Sequence, residues 1–181
     1  MQEEPPKPHI DFDKNLQNPT RQNNIPDEKN LIPNDIENIN GILSKIDNTV
    51  LNKDKLKTSL DEFFEINDQK TLAVKYREIQ KYMQKMYDDT YIKNAAKGLK
   101  IQVNLTSLDK NLSKIMKGKG IDIFNNETCA NLDTDCVVKN IITLESEKNG
   151  TLQTTENGCK IGDEILLKAT VKRYKYNPPA R

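Results

Sequence analysis

Ile115-Met116-Lys117-Gly118-Lys119-Gly120-Ile121-Asp122-Ile123-Phe124 is where one hydrophobic period stops and another starts. Leu108, Leu112, Ile115 and Met116 recur at spacings of four, three and one, which puts them on one face of a helix over about 107–117. Gly118 and Gly120 end that helix, because glycine gives up helical hydrogen bonding at little steric cost. Beyond them, Ile121 to Phe124 reads as a strand. The chain therefore divides near residue 120 into a helical half and a strand half. The fold class expected is α+β, with the N-terminal half helical and packed against a small antiparallel sheet of three to five strands in the C-terminal half.

Upstream of the switch the pattern is helical. Ile36, Ile39, Leu43, Ile46 and Val50 form one stripe, predicting a helix over 35–49 opened by Asn34 with Glu37 three residues on. A second helix is expected over 53–65, capped by Asn52, with Leu56, Leu60, Phe63 and Phe64 as its face. Asp68 caps a third, in which Leu72, Tyr76, Ile79, Met83 and Met86 are spaced by fours and threes. That helix is expected to continue to about residue 97 and stop at Gly98. Ile101, Val103 and Leu105 alternate with polar residues and predict a short strand.

Downstream, Cys136 to Ser146 is rich in β-branched residues. Asn149-Gly150 follows, the strongest short hairpin signal, so 151–155 is expected to be the antiparallel return strand. Further turns fall at 156–158 and at Gly162-Asp163, and a long strand is expected over 164–174. The domain expected is 34–176, with residues 177–181 as a tail.

Residues 1–33 hold six of the eight prolines, and their few apolar residues are too scattered to build a core. They are expected to form a disordered arm or tether. Met1 is followed by Gln2-Glu3-Glu4-Pro5-Pro6, with no apolar leader, and no stretch of the chain approaches 18 apolar residues. A Pro-rich polar start of this kind suits a chain leaving a membrane anchor, with Met1 standing where a lipid-bearing Cys would be. Of the 181 residues, 21 are Asn, 24 Lys and 18 Ile, all encoded by AT-rich codons, so composition alone gives no Lys cluster a function.

Net charge is only +1, so a dedicated nucleic-acid binder is not expected. Residues 97–120 are the exception, with six bases and one acid. Within them Lys110, Lys114 and Lys117 share a helical face, a candidate surface for phosphates or anionic lipid.

The three cysteines, Cys129, Cys136 and Cys159, all lie in the strand half, at loop edges. A Cys136–Cys159 disulfide is expected across the meander, with Cys129–Cys136 as the rival pairing, and either implies an oxidising compartment. No thiol is expected to be catalytic: acidic residues flank Cys129 and Cys136, and the sole imidazole, His9, lies on the arm. Zinc is excluded by the spacing, and Asn131-x-Asp133-x-Asp135 lacks the Gly and closing Glu of a calcium loop. Asn104, Asn126 and Asn149 stand in glycosylation sequons, which matter only in a eukaryotic secretory route. No cofactor-binding motif occurs.

The function expected is therefore non-enzymatic. It is a cell-envelope, periplasmic or secreted protein, lipid-anchored through the arm in an AT-rich bacterium, that binds another protein in envelope function or virulence. The alternatives are a cytoplasmic interaction adaptor and a basic-helix binder of nucleic acid or anionic lipid.

Overall fold

The computed structural model describes the backbone of residues 28–179 and the side chains of residues 34–179. Its helices are α1 (Glu28–Ser44), α2 (Lys53–Glu65), α3 (Gln69–Lys93), α4 (Ala95–Gly118) and the single turn α5 (Leu132–Asp135). Its strands are β1 (Asp122–Phe124), β2 (Cys136–Thr143), β3 (Leu152–Glu156), β4 (Gly158–Ile161), β5 (Glu164–Leu167) and β6 (Ala169–Tyr176). The class is α+β, with the helices in the N-terminal half and the strands in the C-terminal half.

The first helix begins at Glu28, inside the stretch expected to be an arm, and runs through Pro33. Pro33 is the sixth residue of that helix: its fixed φ is a helical value, and what it lacks is the N–H that would have donated to the Lys29 carbonyl. The rest of the expected arm, residues 1–27, lies outside the described residues. The helix also stops earlier than the stripe, at Ser44. Lys45 and Ile46 then donate to Ile42 and Leu43 three residues back, so Ile46 still reaches the core from a tight turn.

The second helix has the expected bounds, but Asn52 caps it differently. Its side chain makes no cap hydrogen bond, and its φ of 67° supplies the left-handed residue that turns the chain into α2. Asp68 does cap α3, accepting from the Thr71 amide at 2.7 Å and the Thr71 hydroxyl at 2.6 Å. All five stripe residues of that helix are buried.

The strand expected at 101–105 is instead the middle of α4. Asn94 is extended (φ −157°) and ends α3, while its side chain accepts from the Lys97 amide and opens α4. Ile101, Leu105, Leu108, Leu112 and Met116 then make a single buried stripe, and Val103 points to solvent. A three-residue alternation is too short to separate a strand from a helix whose stripe begins there. Gly98 does not stop a helix either. A Cβ there would lie 2.6 Å from the Tyr91 Cα, so its hydrogen lets the backbones of α3 and α4 touch at their corner.

The strands form two three-stranded sheets, β1-β4-β5 and β2-β6-β3. The first is antiparallel throughout. In the second, β2 runs parallel to β6 from Cys136↔Ala169 to Thr143↔Tyr176, and β3 is antiparallel to β6. The hairpin expected at Asn149-Gly150 does not form, because β6 lies between its two arms. Gly150 still makes a turn (φ 80°), but it feeds β3 onto β6: its amide donates to Tyr174 O, and Tyr174 N donates to Thr151 O. The central place goes to the strand that can be covered on both faces, and Ala169, Thr170 and Val171 are all buried. The long strand expected at 164–174 is broken at Lys168, which passes the chain from one sheet to the other.

Nineteen buried residues, all but Ile121 and Cys159 from residues 39–116, form the main core. Phe124, Cys136, Ala169 and Val171 form a second, smaller one under the β2-β6-β3 sheet.

Candidate functional site

The eight residues of β2, Cys-Val-Val-Lys-Asn-Ile-Ile-Thr, are strand formers almost throughout. Alternation sends Cys136 and Val138 toward the small core and Val137 and Lys139 to the opposite face. The core underlies only the first half of the strand. Farther along, Ile142 is 64% exposed and Leu144, just beyond the strand, 73%. Tyr176, the register partner of Thr143, is exposed on the opposite face of the same end. One edge of β2 pairs with β6; among the described residues no strand pairs with the other. The result is an unpaired edge of eight residues, apolar at its far end and carrying a single charge, Lys139.

A cleft of about 890 Å³ opens between α3, α4 and this sheet. Arg77 stands in its wall and ties the two halves of the fold together. Its Nη2 donates to the carbonyl of Asn157 at 2.7 Å and to that of Lys168 at 2.6 Å, so one guanidinium holds both the β3–β4 and the β5–β6 junctions. Its Nε is buried without a partner among the described residues. Beside it Lys81 pairs with Glu156 at 2.9 Å, and the Thr170 hydroxyl donates to the same carboxylate. The Lys81 partner, more than the hydroxyl, holds the Glu156 carboxyl below its ordinary pKa.

Behind the cleft wall the Tyr76 hydroxyl donates to Asp109 Oδ1 at 2.9 Å and meets Ser113 Oγ at 3.1 Å. Gln80 donates to both Tyr76 and Asp109. Burial, reinforced by the Asp109 charge, pushes the Tyr76 phenol far above its ordinary pKa. The network satisfies these part-buried polar groups between α3 and α4.

The three cysteines are free thiols. The expected Cys136–Cys159 bond is not present: Cys159 belongs to the main core and Cys136 to the small one. The sulfur beside Cys136 is that of Cys129, half-buried in the same small cluster. Burial pushes Cys136 to a pKa of about 11, and its hydrogen bond with Cys129 adds to the effect. Burial also raises Cys159 to about 11, against a smaller opposing pull from Arg77. Both are protonated at neutral pH and poor nucleophiles.

Lys110, Lys114 and Lys117 are exposed along the outward face of α4, and none is in an ion pair among the described residues. Asn131, Asp133 and Asp135 form the single turn α5. Asn131 accepts from the Asp133 amide and Asp135 accepts from the Asn131 amide, so these groups are spent on capping. Two sequon asparagines are similarly engaged, Asn126 by the Thr154 hydroxyl and Asn149 by the Tyr176 amide. His9 lies outside the described residues.

The sequence did not disclose the Arg77 clamp or the open β2 edge. A lone Arg in a helix carries no signal of its partners, and the Asn-Gly turn pointed to a different pairing. No family model matches this chain, and no curated protein or solved structure is similar to it.

Proposed function

We propose that this is a non-enzymatic protein-binding module of the cell envelope or a secreted protein, and that it captures an extended segment of its partner by strand addition to the β2 edge. The observation that carries the reading is that edge. A row of unpaired backbone groups beside exposed Ile142 and Leu144 is what an added strand uses, with main-chain hydrogen bonds for affinity and alternate side chains for selection. The protonated thiols and the fully bonded Tyr76 network support a binding role over a catalytic one. The envelope placement rests on the Pro-rich character of residues 1–33.

Peptides selected from a random display library on the intact protein test the reading through amide exchange. Selected peptides are expected to be rich in β-branched residues and to slow exchange at alternate positions of Val137–Thr143. Ile142→Lys, at an exposed position, is expected to weaken them at least about tenfold without changing the melting temperature. Peptides that protect the cleft wall instead, or that bind the variant equally, refute strand addition.

A further inference from the structure

Ten large apolar side chains are exposed among the described residues, and apart from Val74 and Val137 they fall into two patches. One is the far end of β2 and β6. The other is the corner between α3 and α4: Leu51, Tyr91, Ile92, Leu99 and Val103, with Ile92 82% and Val103 67% exposed. This second patch has a basic setting of its own. A cavity of about 300 Å³ beside it is lined by Lys45, Lys93, Lys97 and Lys100, together with Asp47 and Asp89. Among the described residues none of these four lysines is in an ion pair. The Asp47 carboxylate accepts from the Thr49 amide at 2.9 Å and keeps its charge, so four lysines face two carboxylates and the cavity stays net positive.

The same chemistry continues along α4. Leu99, Val103, Lys110, Lys114 and Lys117 follow one another at spacings of four, seven, four and three, so they lie in one line on the face opposite the buried stripe. That line is about 27 Å long at 1.5 Å per residue. The only acid of α4, Asp109, is turned inward to Tyr76 and Gln80 and neutralises none of it. The outward charge of the helix is therefore all positive, with apolar side chains at one end.

We propose that this corner is a docking site for an anionic phospholipid surface. Ile92, Leu99 and Val103 enter the interface. The lysine-lined cavity takes a headgroup phosphate, and Lys110, Lys114 and Lys117 lie along the membrane plane. Apolar side chains flanked by unpaired lysines are what an interfacial helix needs, since each Lys near an anionic leaflet adds attraction that apolar insertion alone lacks. Nucleic acid fits less well: the exposed apolar residues have nothing to bury on a phosphate backbone, and no aromatic interleaves the lysines of α4 to stack on bases.

Flotation of the full chain with vesicles is the test, using phosphatidylcholine alone and phosphatidylcholine mixed with phosphatidylglycerol. Binding is expected only to the mixed vesicles and is expected to weaken with salt. Lys97→Glu/Lys100→Glu and Ile92→Ser/Leu99→Ser, all at exposed positions, are each expected to weaken it at least about tenfold while leaving the melting temperature unchanged. The proposal is overturned by no vesicle binding, by equal binding to phosphatidylcholine alone, or by full binding of either double variant. Capture of inorganic phosphate or of a soluble acidic peptide without vesicle binding also overturns it.

Discussion

From Ile39 to Met116 the helices bury one continuous core. Under β2, β6 and β3 only Phe124, Cys136, Ala169 and Val171 are fully enclosed. The helical half can bury nearly every residue of each stripe because four helices face one another. The second sheet has one small core, and its far end runs past that core into solvent. Its outer strand is left with an open edge and apolar residues that packing does not consume. The difference separates the part of the molecule whose apolar surface packing consumes from the part where packing leaves it exposed.

The largest effect that can test this contrast is a pair of truncations. Leu112→Ala, at a fully buried position in α4, is expected to cost about 4 kcal/mol, whereas Val138→Ala in half-buried β2 is expected to cost about 1 kcal/mol. Denaturant unfolding of the two variants reads both values. Equal costs would show that the sheet half contributes as much as the helical half.

Arg77→Met sharpens the contrast at its seam. It leaves the Asn157 and Lys168 carbonyls without their shared donor, at an expected cost of about 2 kcal/mol. Because the guanidinium links two otherwise separate regions, amide exchange is expected to quicken in β4, β5 and the start of β6 while α3 is unchanged. Uniform quickening across both halves would break the picture of a clamp.

The smallest effect concerns pH. The Glu156 carboxyl is lowered by Lys81, so the folded state binds its proton less tightly than the unfolded chain does. That stabilisation is fully present above the ordinary value of 4.5 and is lost as pH falls through the lowered one. Lys81 is 63% exposed, and solvent screening keeps the contribution under about 1 kcal/mol. Glu156→Gln is expected to flatten the acid limb of stability measured by thermal melts between neutral pH and the acid side. An unchanged limb would show that the ion pair contributes nothing across the seam.

The legible and illegible parts of the sequence follow the same divide. Local signals were sufficient where one residue and its near neighbours decide the outcome. Asp68 caps α3, the bounds of α2 hold, Gly120 with its φ of 77° closes α4, and the five-residue stripe from Leu72 to Met86 is buried as its spacing requires. They failed where two readings share one pattern. Ile101-x-Val103-x-Leu105 alternates like a strand, yet its first and last members continue the helical stripe to Met116, and Asn94 supplies the cap that starts it.

Side-chain spacing within one element is a local property, so the α+β class, the change of period at residue 120 and most of the helical core were readable along the chain. The same spacing places Lys110, Lys114 and Lys117 on one face. Packing between distant segments is what puts β6 between β2 and β3, Cys129 rather than Cys159 beside Cys136, and Arg77 against two junctions about 80 and 90 residues away. Strand order, sulfur neighbours and a guanidinium's partners are set by which surfaces can be buried together. That competition is settled between distant segments, and no window of neighbouring residues contains it.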